Sequence, residues 1–373
     1  MKKLLLIATL IMLTFPASAQ NLWESLVVWL KSRSVVDSSY IYQRPARFAV
    51  DGNFNLQSYS ASMSMNYDIN TKSLGHADSV WVRGKSVMEF DGKVRSGVGF
   101  GLGYGNIGFG YGINLGADDK ASRTFNFAIK THKWGIGVSY YGLNSYAYNE
   151  VTIADDTSRF HSHIVRRSNS PCNVYRVGLD AYWSLKRSKF AYTAAYKCGM
   201  VQRRSAGSLL ISGNVQLTGM DFAEDDEVFN NSHIRSYMFL MASAGVGYSH
   251  NIVFFHCDPT GPKDRGLRNL TLNATLFTLL SVSNTFIATP TQADSSNIVL
   301  ACPISPNASG SLALSYSLDR WYFSLQYTHN LYYFRSEEGL TAADLQQGDN
   351  LRDMNFATLM QNWKLMAMAV FNF

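Results

Sequence analysis

The feature that most constrains this chain is a strict two-residue alternation over residues 97–115, interrupted once at Gly105 and Asn106. On each side of the break, large apolar residues fill one set of alternate positions and small residues fill the other. The small set is a ladder of glycines: Gly97, Gly99, Gly101, Gly103, Gly108, Gly110 and Gly112. Alternation over about ten residues on either side of a two-residue turn predicts a β-hairpin with strands long enough to cross a membrane.

The same alternation recurs along the chain and predicts twelve strands. They lie near residues 53–68, 94–104, 107–116, 123–131, 133–144, 173–185, 189–203, 235–250, 268–284, 309–318, 320–334 and 357–373. Short links near 105–106, 132, 186–188 and 319–320 alternate with longer links at 69–93, 117–122, 145–172, 204–234, 285–308 and 335–356. Short turns at one rim and long loops at the other are typical of outer-membrane barrels.

We therefore expect an all-β fold, an antiparallel transmembrane β-barrel of about 12 strands with short periplasmic turns and long extracellular loops. Counts of about 10 or 14 strands are the alternatives. A soluble β-sandwich or propeller is the competing architecture, but one face of each strand is repeatedly apolar and aromatic, which favours lipid outside.

The N-terminus has the three parts of a secretory signal peptide. A basic start precedes an apolar run over residues 4–15, and Ala17 and Ala19 form the small-residue cleavage site. The run is too short to span a bilayer as a permanent helix. Cleavage after Ala19 and export to the outer membrane are the expected outcomes.

With this signal peptide, the chain has three predicted parts. Residues 1–19 are the predicted signal peptide, and residues 46–373 are the predicted barrel. Residues 20–45 are a predicted periplasmic segment that acts either as a plug inside the barrel or as a helix at the membrane interface.

The last predicted strand ends in an aromatic residue at the C-terminus. Counting back in twos from Phe373 gives a face without charge, made of Phe371, Ala369, Ala367, Leu365 and Trp363. This ending is similar to the terminal strand that outer-membrane barrels present to their assembly machinery. We expect Phe371 and Phe373 to be the assembly signal, with that machinery and outer-membrane lipid as partners and both chain termini in the periplasm.

Composition excludes a helical membrane protein. Charged residues make up 16% of the chain, below the ~25% of a typical soluble domain. Mean hydropathy is nevertheless −0.09, and no segment after residue 19 is a continuous apolar stretch of about 20 residues. The net charge of +6 does not by itself indicate nucleic-acid binding, and we expect no nucleic-acid partner.

Metal, cofactor and catalytic sites are not indicated by the sequence. The cysteines are Cys172, Cys198, Cys257 and Cys302, and their spacings match no zinc or CxxC pattern. His161 and His163 could share a face of a strand, but a third ligand is not evident. Ser249 and His250 are adjacent, so on a strand they point to opposite faces and cannot act together. We expect no cofactor, no metal and no catalytic residue.

Alternation also predicts which charged residues face the lumen. They are Lys130, Arg176, Asp180, Lys197 and Lys364. Four positive charges against one negative charge would favour anionic solutes if the lumen conducts. The alternative is an internal network of ion pairs and hydrogen bonds that fills a closed interior. Tyrosines near strand ends, such as Tyr140, Tyr141, Tyr332 and Tyr333, are predicted to form an interfacial girdle.

The glycine ladder is open to three interpretations. Glycine weakens a strand and marks a bend or a close approach by other backbone. The ladder is therefore a corner of the barrel, a surface that receives a plug from residues 20–45, or space for a ligand.

In the order and spacing of three motifs, the chain resembles an uncharacterised family of outer-membrane β-barrels known as a domain of unknown function. The motifs are Asp37-Ser38-Ser39-Tyr40-Ile41, the hairpin 97–116 and Arg203-Arg204-Ser205-Ala206-Gly207-Ser208. The resemblance covers about residues 35–373 and implies a barrel in the outer membrane. It implies no activity and no catalytic residue.

Three functions remain open from the sequence. The first is a channel or transporter for small solutes. The second is a structural or interaction protein that acts at the cell surface through its long loops. The third is a lipid-modifying outer-membrane enzyme, for which no catalytic constellation is identified.

Overall fold

The computed structural model describes residues 36–70, 81–91, 94–115, 123–154, 161–167, 172–186, 188–221, 234–257, 266–290, 298–302, 304–335 and 351–373. The chain separates into a unit Met1–Ser38 and a unit Ser39–Phe373, and all described strands belong to the second. They are β1 (Ile41–Gln43), β2 (Phe48–Asn70), β3 (Trp81–Asp91), β4 (Arg95–Tyr104), β5 (Ile107–Leu115), β6 (Arg123–Lys130), β7 (Trp134–Ala154), β8 (His161–Arg167), β9 (Cys172–Ser184), β10 (Met200–Gln202), β11 (Ala206–Asp221), β12 (Ile234–Cys257), β13 (Arg268–Pro290), β14 (Ile298–Cys302), β15 (Ser305–Leu318), β16 (Trp321–Arg335) and β17 (Leu351–Asn372).

Twelve of these strands form a closed antiparallel barrel. Neighbours follow the order β2, β4, β5, β6, β7, β9, β11, β12, β13, β15, β16 and β17. The last strand, β17, pairs with β2 over most of its length, which closes the wall. The predicted fold class and the predicted count of twelve are therefore confirmed.

One predicted strand is wrong. Residues 189–203 do not form a wall strand, and the strand at that place in the barrel is β11, inside the predicted loop 204–234. Leu209 and Ile211 of β11 point outward. Its inner face alternates with them and combines polar residues, such as Ser208 and Ser212, with the buried apolar Leu210. Residues 188–205 instead fold into the lumen, and we call them the inserted segment.

Three further strands lie in the predicted loops 69–93, 145–172 and 285–308. They are β3, β8 and β14, and each forms a hairpin beyond the twelve-strand wall. Residues 48–57 of β2 pair with β4, whereas residues 60–70 pair with β3. Strand β3 also pairs with residues 146–154 of β7, so it passes over the short panel β4–β6.

The barrel thus has two ends with different structure. We call the end with the turns at Gly105 and at residues 319–320 the turn end, and the opposite end, extended by β3, the loop end. Gly105 has φ of 56°, the left-handed conformation that glycine adopts without steric cost.

The outer surface changes from apolar to charged between these ends. At the level of the β4–β6 panel, large apolar side chains such as Phe54 and Phe100 are exposed. At the level of β3, the exposed outward residues include Arg83 and Lys85, and Arg83 lies 3.9 Å from Asp68. Soluble proteins rarely expose a continuous apolar surface of this size, whereas a membrane barrel carries it as a belt against lipid. Among the described residues, no helix has the length and apolarity to cross a membrane.

The lumen is filled with apolar side chains toward the loop end. This loop-end cluster consists of Tyr59, Ala61, Met63, Met88, Phe90, Cys172, Val174, Met220, Tyr237, Phe239, Met241, Tyr332, Phe334, Phe356 and Met360. Phe90 and Met360 are each 1% exposed. The cluster draws on strands from all sides of the wall, including β2, β9, β12 and β17, so it crosses the lumen.

Candidate functional site in the barrel lumen

The inserted segment lies inside the turn end of the barrel. It contains a short 3-10 helix, Tyr192–Ala195, and the strand β10, which pairs with β1. Gln202 of β10 is completely buried and organises the segment. Its side-chain oxygen accepts the N–H of Ala191 at 3.0 Å, and its amide nitrogen lies within 3.2 Å of the carbonyl oxygens of Tyr40, Lys189 and Arg204.

Asparagine side chains of the wall bind this segment. Asn251 of β12 donates to the carbonyl of Ala191 at 2.9 Å, and Asn269 of β13 donates to the carbonyl of Gln202 at 2.8 Å. Tyr196 donates its hydroxyl hydrogen to Asn273 at 2.7 Å. A buried polar network whose members are paired fixes one arrangement, because each lost partner leaves a polar group in an apolar interior.

A cavity of about 880 Å³ lies between the inserted segment, the glycine ladder and the opposite wall. It extends to exposed residues at the turn end, including Arg47 and Gly105. In the other direction it reaches Arg176 and Tyr332, where the loop-end cluster begins. This volume falls in the range of small-molecule pockets, about 300–1,000 Å³.

A polar layer separates the cavity from the loop-end cluster. Arg176, only 7% exposed, donates to the hydroxyl oxygens of Tyr141 and Tyr332, each at 2.7 Å. Its guanidinium carbon also lies 5.4 Å and 5.1 Å from the centroids of these two rings. Asn362 donates to Tyr141 at 3.1 Å. Tyr141 and Tyr332 therefore face the lumen, and their prediction as girdle residues is wrong.

The five charged residues expected in the lumen all line this cavity: Lys130, Arg176, Asp180, Lys197 and Lys364. Four of them project from wall strands, as the alternation requires. Lys197 lies on the inserted segment instead of a wall strand, so its place in the lumen has a different cause from the predicted one. Asp180 accepts a hydrogen bond from Asn214 of β11.

The electrostatics of Lys197 follow from its partial burial. Its Nζ lies 3.4 Å from the carbonyl oxygen of Asn106. Burial, and to a lesser extent the nearby positive charge of Lys130, lower the pKa of Lys197 to about 8 against the opposing effects of Cys198 and Asp51. Burial likewise lowers the pKa of Arg44, which donates to the carbonyl oxygens of Leu318 and Asp319.

The glycine ladder provides space for polar side chains in the lumen. A Cβ atom on Gly108 would lie 2.8 Å from Nζ of Lys197. One on Gly110 would lie 2.7 Å from the amide of Asn126, and one on Gly97 would lie 2.6 Å from Oδ1 of Asn114. The ladder therefore receives neighbouring wall residues and part of the inserted segment. Residues 20–35, most of the segment expected to supply a plug, lie outside the described residues.

Several residues of the cavity are not among the predicted lumen residues. Asp51 and Asn53 of β2 line it, and alternation alone places both on the same face as Asn55 and Gln57. Arg44 lines it from the link between β1 and β2, where no periodic pattern exists to reveal it.

No catalytic or metal centre is found in the described part of the chain. Ser249 is buried toward the lumen and bonds Thr275, whereas His250 lies on the outer face 3.0 Å from the hydroxyl of Tyr248. The described side chains include no group of three metal-ligating residues. Cys198 and Cys257 are free thiols, Cys172 is buried, and the side chains of His161, His163 and Cys302 lie outside the described structure.

Comparison with known proteins gives the family of the chain. A family model described as a domain of unknown function, DUF4421, matches residues 35–347. The chain belongs to the DUF4421 family. This match confirms the resemblance drawn from the three sequence motifs. The twelve-strand barrel described above is the fold of this DUF4421 chain. No curated protein matches the chain significantly by sequence.

Three solved structures illustrate what this DUF4421 chain is similar to. The outer-membrane protease OmpT from Escherichia coli is 9% identical with a TM-score of 0.39, covering 87% of this chain and 97% of that one. The toluene transporter TodX from Pseudomonas putida is 7% identical with a TM-score of 0.24, covering 88% and 90%. The beta domain of the Bordetella autotransporter BrkA is 9% identical with a TM-score of 0.24, covering 85% and 99%. At these TM-scores none of the named activities carries over to this chain.

Proposed function

We propose that this protein is a gated outer-membrane transporter that admits a small polar solute to its lumen from the turn end. The observation that carries the proposal is the shape of the lumen. A solute-sized cavity reaches exposed residues at the turn end and stops below a buried apolar cluster. Such a barrel holds a solute without forming a permanently open channel.

The proposed orientation places the turn end in the periplasm and the loop end outside the cell. Short turns face the periplasm in barrels of this class. Phe371 and Phe373, the proposed assembly signal, pack edge to face with their ring centroids 5.1 Å apart. The ring centroid of Phe373 also lies 6.1 Å from that of Phe48 on the first wall strand. Phe373 is 65% exposed, so it is accessible to lipid and to assembly machinery. Export through cleavage after Ala19 completes this proposal.

A second candidate is an interaction role at the cell surface. Strands β3, β8 and β14 exist only at the loop end, where they extend the wall beyond the apolar belt. In the proposed orientation this extension projects outside the cell. It favours a surface contact but identifies no partner.

The transporter proposal is tested by the chemical accessibility of the lumen. Thr328 lines the cavity, whereas Ala61 belongs to the loop-end cluster and is 4% exposed. In detergent-solubilised protein, we expect methyl methanethiosulfonate to modify Thr328→Cys rapidly and Ala61→Cys slowly, as read by mass mapping. An unreactive Thr328→Cys in a folded barrel would show that the cavity is sealed and would overturn the proposal.

A further inference from the structure

Three lysines reach the cavity without an ion pair, although Asp180 acts on Lys130 and Asp51 acts on Lys197 at longer range. In the described structure, Lys130 and Lys364 make no ion pair and no side-chain hydrogen bond, and Lys197 reaches only the carbonyl oxygen of Asn106. One ion pair is found among the described residues, between Arg83 and Asp68 at the loop end. Of the internal network raised by the sequence, the described lumen therefore contains hydrogen bonds, such as those of Arg176 and Gln202, but no ion pair.

The lining of the cavity carries an excess of positive charge. It includes seven basic and three acidic side chains. The basic residues are Arg44, Arg47, Lys130, Arg176, Lys197, Arg320 and Lys364, and the acidic residues are Asp51, Asp180 and Asp319. Asp180 accepts a hydrogen bond from Asn214, and Asp319 accepts the backbone N–H of Leu267, so part of their acceptor capacity is already used.

Confinement in the cavity strengthens the electrostatic field of these positive charges. Charges of one sign in a cleft with low-dielectric walls focus the field and concentrate counter-ions. A partly desolvated ammonium group without a counter-charge is costly, and an anion that enters the cavity relieves that cost.

The rest of the lining suits a ligand with an apolar part. Tyr192 packs against Tyr182 and Tyr196, with ring centroids 4.7 Å and 5.2 Å apart. Met366 and Met368 lie on β17, the wall strand that carries Lys364, and they also line the cavity. The cavity therefore offers aromatic and thioether surface next to ammonium groups.

We propose that this cavity binds a small organic anion, with Lys130, Lys197 and Lys364 as the groups that bind its charge. The proposal rests on the proposed function, since the anion must reach the lumen from the turn end. The glycine ladder is part of the site, because a side chain at Gly108 would occupy the space that Lys197 fills.

Two thiol reagents of opposite charge test this proposal at one position. Thr328 is the cross-strand neighbour of Lys364, so Thr328→Cys places a thiol beside the site. Sulfonatoethyl methanethiosulfonate carries a negative charge, and trimethylammonioethyl methanethiosulfonate carries a positive charge. We expect the ratio of their labelling rates, divided by the ratio for free 2-mercaptoethanol, to favour the anion by about tenfold, equivalent to ~1.4 kcal/mol. Phenyl phosphate should protect the thiol, and benzyltrimethylammonium should not.

Lysine-to-methionine variants locate the effect, since methionine keeps much of the chain length without the charge. Lys364→Met and Lys130→Met should each reduce the normalised ratio at least about threefold, because each removes one unit charge from a confined site. Lys85→Met is the matched control, since Lys85 is exposed on the outer face of β3, and it should leave the ratio unchanged. Heat-modifiable migration on detergent gels verifies that each variant is folded.

The outcomes separate the two proposals. If both reagents label Thr328→Cys without charge preference, the anion proposal is wrong and the accessible cavity remains. If neither reagent labels a folded Thr328→Cys barrel, the proposed function fails together with the anion site. A preference that persists unchanged in Lys364→Met and Lys130→Met would show that these lysines do not bind the anion.

Discussion

Lys130, Lys197 and Lys364 place their ammonium groups around one cavity, although they come from different parts of the chain. Lys130 and Lys364 lie on wall strands β6 and β17, where alternation fixes their inward direction. Lys197 arrives with the inserted segment and lies against Gly108. Sequence alternation predicts the first two directly, whereas the third depends on a tertiary contact that no local pattern records.

The lowered pKa of Lys197 predicts a specific pH dependence of stability. The folded protein holds the pKa of Lys197 at about 8, below its ordinary value of 10.5, so the unfolded chain binds more protons between these values. The contribution of Lys197 to the free energy of unfolding should therefore rise as the pH increases from 8 to 10.5. Lys130, Asp51 and Cys198 are the titratable groups that act on it.

Urea unfolding of the ligand-free protein, followed by tryptophan fluorescence, measures this effect. We expect the difference in unfolding free energy between the wild type and Lys197→Met to change with pH across that interval. Lys85→Met, with its exposed position on β3, corrects for titration of other groups. A wild-type and Lys197→Met pair with parallel pH profiles would contradict the assigned pKa.

Among the elements of the barrel, the inserted segment is the one for which sequence alternation predicts the wrong structure. Its even positions Phe190, Tyr192, Ala194 and Tyr196 imitate the alternation of a wall strand, which explains the wrong strand at 189–203. Alternation does not predict the wall strand β11, because buried apolar residues on its inner face, such as Leu210, reduce the contrast between its faces. Alternation predicts that a strand has one exposed face and one buried face. It does not predict which part of the protein packs against the buried face.

Gln202 should be the residue on which the inserted segment depends most. Gln202→Leu leaves the N–H of Ala191 and three backbone carbonyls without this side-chain partner, at a cost of about 1–3 kcal/mol for each group that stays buried and unpaired. We expect faster hydrogen exchange and faster proteolysis within residues 188–205, while the twelve-strand wall keeps its heat-modifiable migration.

Gln43→Leu is the matched control for this change. Gln43 lies in β1 of the same two-stranded sheet, but its side chain is exposed. The control should leave exchange in the inserted segment close to that of the wild type. Equal protection of residues 188–205 in Gln202→Leu and Gln43→Leu would show that the Gln202 network does not hold the segment.

At the scale of the whole molecule, the barrel is divided along its axis into two parts. The part toward the turn end has an apolar outer belt, the glycine ladder and a polar cavity. The part toward the loop end has a charged outer face and the loop-end cluster. The outer belt could be predicted from sequence, because each wall strand alternates on its own. The cluster could not be predicted in this way, because it joins inward residues from strands far apart in the chain.

Ion conductance through the reconstituted, full-length mature protein tests this division most directly. The loop-end cluster crosses the lumen, so we predict no steady conductance in a planar lipid bilayer. The double variant Phe90→Ala and Met360→Ala, which truncates two side chains of the cluster that are each 1% exposed, should produce open events, whereas Leu325→Ala on the outer belt should not. A steady ohmic conductance through the unmodified protein would contradict a lumen that is open at the turn end and closed at the loop end.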